Sequence, residues 1–149
     1  MNKKYMDLAI KQAEVAMMDN EIPIGCVIVK NNEIIAIAHN EKEKSNMVTR
    51  HAEIIAIEEA SKKIGNWRLL NCDIYITLEP CPMCASAIKQ ARISNVYCGL
   101  SNSDSKNLTI ITQIFEKDNT NPNVNFYNNL AVDKVRQVMQ SFFEKQRKK

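Results

Sequence analysis

Between residues 5 and 18 the apolar positions Tyr5, Leu8, Ala9, Ala13 and Ala16 recur at helical spacing among lysines and acids, which predicts a first amphipathic helix. The period then changes. "IGCVIVK" (24–30) and "EIIAIAH" (33–39) are short runs rich in branched residues and predict two strands. Asn31-Asn32 between them tolerates the left-handed backbone of a tight hairpin. A polar stretch, 40–49, leads into "RHAEIIAIEEA" (50–60), where Ile54, Ile55, Ile57 and Ala60 carry an apolar helical face on toward Gly65. Beyond it, "DIYITL" (73–78) predicts a strand, "CPMCASAIKQA" (81–91) a helix with Pro82 near its first turn, and "NVYCGL" (95–100) another strand. Strand, helix and strand in that order form a βαβ crossover, hence an α/β fold with parallel strands and helices on both faces. Residues 101–129 are rich in Asn and Ser, and within them "TIITQIF" fits either a strand or a short helix. A last helix is predicted at 131–146, with Val132, Val135, Met139, Phe142 and Phe143 along one side.

Composition adds limits. With 149 residues, 45% hydrophobic and 25% charged, and only 3 Gly and 4 Pro, the chain has the profile of one folded domain spanning 1–149. Asp7, Lys11 and Glu14 interrupt the apolar residues near the amino terminus, as a signal peptide would not allow. No run approaches the about 20 apolar residues that span a bilayer. These features predict a cytoplasmic protein with no membrane partner. In that compartment Cys26, Cys72, Cys81, Cys84 and Cys98 are expected as thiols or metal ligands rather than as a disulfide framework. The net charge is +3, and the terminal "KQRKK" carries four of the positive charges. Such an end permits contact with a polyanion, and equally fits a frayed, solvated terminus.

Candidate chemistry lies in His51, Glu53, Cys81 and Cys84. Two cysteines three residues apart at a helix start gain thiolate character from the free N–H groups and the helix dipole. An imidazole completes a three-ligand set and leaves a fourth tetrahedral position for water, as in catalytic zinc sites. His51 is the leading candidate, because the only other histidine, His39, falls in a predicted strand. A metal-activated water needs a base to take its proton and an acid to return it to the leaving group, and a nearby non-ligating carboxylate, Glu53, can do both. On this reading ligand and shuttle share the first turn of one helix.

"HAE" at 51–53 followed by "PCPMC" at 80–84 matches the H-x-E…P-C-x-x-C pattern of zinc deaminases. With "EIPIGCVIV" (21–29), "AHN" (38–40), "NWRL" (66–69), "YITLEPCPMCASAI" (75–88), "ARI" (91–93) and "SFFEKQR" (141–147), the chain resembles the cytidine-deaminase-like superfamily. Within it, the chain is similar to the bacterial tRNA adenosine deaminases, which form inosine at the wobble position of an anticodon. The resemblance implies a three-layer α/β/α fold with a mixed five-stranded sheet, a Zn2+ cofactor, a homodimer, and a tRNA anticodon stem-loop rather than DNA as partner. It further implies that Asn40 contacts the flipped base or its ribose, that Ile24 lines the pocket, that the neighbourhood of Glu79 orients the base, and that Phe143 holds a nucleotide of the loop; read without the resemblance, Glu79 equally fits a helix-terminal cap and Asn40 a turn residue. By themselves Phe142 and Phe143 are more ordinary as core, so at most one is expected to touch RNA.

Two departures stand out. "VTRHAE" (48–53) has Val48 and Arg50 where the family has a proline and a small residue, so Arg50 either contacts phosphate or points outward. "SNSDSKNLTI" (101–110) lacks the family's glycines, leaving Asn102 or Asp104 for its usual acidic position. Three functions remain open: a tRNA adenosine deaminase, a deaminase of a free base or nucleoside such as guanine or cytosine, and a non-catalytic zinc-stabilised RNA-binding subunit. The last has no use for Glu53.

Overall fold

The computed structural model describes residues 1–101 and 106–148. The elements are α1 (Lys3–Met18), β1 (Gly25–Lys30), β2 (Glu33–His39), α2 (Lys42–Ser45), α3 (Ala52–Ile64), β3 (Cys72–Leu78), α4 (Pro82–Gln90), β4 (Asn95–Leu100), α5 (Lys106–Phe115), β5 (Asn125–Tyr127) and α6 (Val132–Arg147). One five-stranded sheet runs β2-β1-β3-β4-β5. Its β1 strand is antiparallel to both β2 and β3, whereas β3, β4 and β5 are mutually parallel. The sheet is therefore mixed. The hairpin supplies its antiparallel half, and the crossovers through α4 and α5 supply its parallel half.

Alternation along the strands sorts side chains into two apolar layers. Cys26 and Ile28 of β1 and Ile74 and Ile76 of β3 join a core with Ala52, Ile55 and Ala56 of α3, Ala85 and Ile88 of α4, and Ile111 of α5. Val27, Val29 and Tyr75 face the other way, onto Tyr5, Met6, Ala9 and Ile10 of α1 and Val135 of α6. Helices thus cover both faces. At the hairpin, Asn31 and Asn32 have φ of 51° and 62°, the pair of left-handed residues its two-residue turn requires.

Close packing of α1 on the sheet depends on Gly25, where an added Cβ would lie 1.9 Å from the Ala9 carbonyl oxygen and 2.6 Å from the Ala13 nitrogen. Both are backbone atoms and cannot rotate away. Gly25→Ala is expected to lower stability by about 3 kcal/mol or more, the upper range for overpacking, as measured by urea unfolding.

Three details differ from the sequence reading. Helix α3 begins at Ala52, with His51 as its extended N-cap (φ −75°, ψ 152°), so Arg50 and His51 precede the first turn instead of occupying it. The "TIITQIF" run is helical, because Ile111 and Phe115, four apart, are the pair that buries. On α6 the apolar side is narrower than expected: Val135 and Phe142 are buried, whereas Phe143 is 50% exposed. Consecutive helical residues are about 100° apart, and the roll of α6 on the sheet turns Phe142 inward and leaves Phe143 at the edge of the apolar stripe.

Candidate metal and catalytic site

The site forms where α3 and α4 start. His51 caps α3 and Cys81 caps α4, each with extended backbone, and Pro82 opens α4 at a position that needs no N–H partner. Cys84 lies one turn further along α4 and is fully buried. The His51 Nδ1 atom is 3.7 Å from the Cys81 sulfur and 3.6 Å from that of Cys84. All three donor atoms fall within 4.8 Å of one another.

This spacing fits zinc. Bond lengths of about 2.3 Å to sulfur and 2.0 Å to nitrogen at a tetrahedral angle put N and S about 3.5 Å apart. The electrostatics favour a thiolate at one of the two cysteines. A hydrogen bond from Cys84 lowers the Cys81 thiol to about 5 against the opposing effect of burial, with the Cys84 amide, His51 and the Met83 amide assisting. Cys84, as donor, is pushed up by that bond, by burial and by the charge of Glu53. The pair alone favours a single thiolate, and a metal between the sulfurs would favour a second. The other cysteines are packing groups: Cys26, Cys72 and Cys98 are fully buried, with the Cys98 thiol raised to about 12 chiefly by burial.

Glu53, in the first turn of α3, is 3% exposed, and its Oε1 has no hydrogen-bond partner. Burial lifts its carboxyl to about 7, its own amide opposes, the Cys81 charge adds and the Cys84 hydrogen bond subtracts. A buried carboxylate oxygen without a partner is rare and marks a place for a polar group from outside the chain. His39 lies elsewhere, with its Nδ1 3.1 Å from Gln12 Oε1 and its Nε2 4.0 Å from Asp19.

Of the expected substrate contacts, Asn40 and Ile24 are adjacent, since the Asn40 amide donates to the Ile24 carbonyl at 3.1 Å. Asn40 is 3% exposed with its Oδ1 unpartnered. It lines a cavity of about 380 Å³ together with Glu21, Lys42 and Phe142. Glu79, between β3 and α4, donates its amide to Leu100 and accepts from Asn107 Nδ2 at 2.8 Å. Phe143 stands on the outer side of α6, its ring edge-on to Phe142. Arg50 donates to Glu58 at 2.8 Å along α3, and Asn102 and Asp104 lie outside the described residues.

Two residues that hold segments flanking the candidate residues were not singled out in the sequence. Asn107 Nδ2 also donates to the Pro80 carbonyl at 3.0 Å, tying α5 to the segment just before Cys81. Glu21 accepts the Glu43 and Lys44 amides. Neither carries a local signal, because both act on backbone or side chains more than 20 residues away.

Residues 1–100 match the family described as the cytidine and deoxycytidylate deaminase zinc-binding region. A tRNA-specific adenosine deaminase of Streptococcus pyogenes serotype M1 is 42% identical over 145 residues, 97% of this chain and 85% of the relative. A structure from a study of A-to-I editing by tRNA:A34 deaminases at the wobble position of transfer RNA is 34% identical, with a TM-score of 0.84 over 92% of this chain and 99% of that one. The guanine deaminase of Bacillus subtilis is 30% identical, with a TM-score of 0.68 over 97% of this chain and 95% of that one. Matched by sequence over nearly its whole length, and with a His/Cys/Cys group placed for zinc, the chain belongs to the zinc-binding cytidine and deoxycytidylate deaminase family and, within it, to the tRNA-specific adenosine deaminases.

Proposed function

We propose that this protein hydrolytically deaminates adenosine to inosine at the wobble position of a tRNA anticodon loop, with His51, Cys81 and Cys84 holding zinc and Glu53 moving the proton. The observation that carries this reading is the partnerless oxygen of Glu53, whose carboxyl interacts with Cys81 and Cys84 of the three-donor group, in a chain 42% identical to a tRNA-specific adenosine deaminase. Zinc, when bound, supplies a Lewis acid that lets a water lose its proton near neutral pH. Glu53 accepts that proton at Oε1 and delivers it to the departing 6-amino group. Water and adenosine are consumed, and inosine and ammonia are released. A carboxyl that burial brings to about 7 is matched to both halves of that task.

The adenine must first leave its stack, which costs least in a loop. Asn40 and Ile24 receive the extruded nucleoside, and the Glu79 segment orients the base above the cysteines. The exposed Phe143 ring offers a stacking face to a neighbouring nucleotide while Phe142 anchors the helix beneath it. The basic end of α6, with Lys145 and Arg147 in its last turn, meets the phosphates. The enzyme works in the cytoplasm, where a tRNA-modifying enzyme such as its relatives has its substrate, and as a homodimer, as the resemblance of its sequence motifs implies. Among the described residues no helix is long and apolar enough to cross a membrane.

The test is inosine formation in an anticodon stem-loop bearing a wobble adenosine, run beside ammonia release from free guanine and cytosine. Inosine from the stem-loop and no ammonia from the bases is the expected result. Ammonia from guanine or cytosine with no inosine would move the chain to the free-base deaminases.

A further inference from the structure

Glu21 is 1% exposed, and its carboxylate accepts the Glu43 amide at 3.0 Å through Oε1 and the Lys44 amide at 2.7 Å through Oε2. A carboxylate taken out of water is costly unless hydrogen-bonded, so these two amides cannot move off without stranding a buried charge. The segment they belong to joins two parts of the site. It begins at Asn40, whose amide is held by Ile24, and ends at His51; the Glu41 amide donates to Arg50 at 3.0 Å and closes the segment into a loop. Glu21 pins that loop from the α1–β1 connection, and the same carboxylate lines the cavity that Asn40, Lys42, Glu43, Phe142 and Gln146 enclose. His51 has a second anchorage in α3, where its carbonyl accepts from Ile55 at 3.1 Å. Both ends of the loop are thus held through the backbone, and Glu21 holds its middle, so slack there would alter the cavity wall that Glu21 and Asn40 share.

We infer that Glu21 is a positioning residue for the deamination: by holding the amides of Glu43 and Lys44 it sets the place of Asn40 and the shape of the adjoining cavity, and so governs substrate binding rather than the chemical step. This rests on the tRNA deaminase reading above. Glu21→Gln keeps the shape but offers one acceptor oxygen where two amides point, leaving an N–H facing an NH2. Lys44→Pro removes one of the donors at an exposed position, so it tests the same contact without touching the interior.

For both variants, KM for the stem-loop is expected to rise about tenfold, the equivalent of roughly one well-placed hydrogen bond, while kcat stays within about threefold. Zinc content should remain that of the unsubstituted protein. In Glu21→Gln, hydrogen exchange at the Glu43 and Lys44 amides should accelerate at least about tenfold while that of Val27 in β1 is unchanged. An unchanged KM in Lys44→Pro, or a Glu21→Gln protein that keeps protection at both amides, overturns the inference. So does a loss confined to kcat. If Glu21→Gln does not fold, Lys44→Pro decides alone. If the unsubstituted protein makes no inosine, the tRNA reading fails, and exchange at residues 43 and 44 still decides whether Glu21 holds the loop.

Discussion

Glu53→Gln is expected to abolish deamination while leaving zinc in place. General acid–base catalysis by a positioned side chain is worth about 10²–10⁴ in rate, and here one carboxyl serves as both base and acid, so a fall of about 10³-fold or more in kcat is the expected size. The metal should stay, because the three donor atoms come from His51, Cys81 and Cys84 and none from Glu53. Stability should hold or rise. The carboxylate is 3% exposed with one oxygen unpartnered, and burial opposes its ionisation strongly enough to lift it to about 7. An amide of the same shape carries no such charge to bury. Inosine formation, elemental zinc analysis and thermal unfolding on one preparation give the three readings together. A variant that retained a tenth of its kcat, or that lost its zinc along with its activity, would remove Glu53 from the role of proton shuttle.

The position of Glu53 illustrates which features the sequence made legible. H-x-E and C-x-x-C are local spacings, and each is tied to the start of a helix that amphipathic periodicity also marks, so motif and element support each other. The same holds for α1 and for the hairpin, where period and turn residues agree: Asn31 and Asn32 take the left-handed conformation that their position between two strands predicts. Where only one kind of signal exists, the reading falls short. Strand β5 is three residues long, too short for any period, and owes its existence to pairing with Asn95–Tyr97 of β4. The "TIITQIF" run carries enough branched residues for a strand, and the cover that α4 needs over Ile88 makes it a helix instead. Phe142 and Phe143 are indistinguishable in composition, and only the roll of α6 on the sheet buries one and exposes the other. Glu21 and Asn107 lie furthest from legibility, because a side chain that serves a distant backbone leaves no spacing to read.

The donor set offers the complementary test, in which metal and stability are lost together. Cys84 is fully buried, and with Cys81 it supplies two of the three donors. Cys84→Ser replaces a thiolate with a hydroxyl that stays protonated near neutral pH, so two donors remain for an ion that binds tetrahedrally. Zinc is expected to fall well below one per chain and inosine formation to background. Binding energy of a structured metal site is also folding energy. The melting temperature should therefore drop by several degrees, given about 2–4 °C per kcal/mol for a chain of about this length. Stripping the unsubstituted protein with a chelator should bring it down to a similar value, and added zinc should restore the unsubstituted protein but not the variant. Cys98→Ser is the control for burial alone: Cys98 is equally buried and its thiol is raised to about 12, chiefly by burial. It bonds to Leu100 and Ser101, not to the metal group. That variant is expected to lose stability through packing while keeping its zinc and its response to chelator. If Cys84→Ser instead held a full complement of zinc, the ion would have to be held without the Cys84 sulfur, and the assignment of Cys84 as a ligand would fall with it.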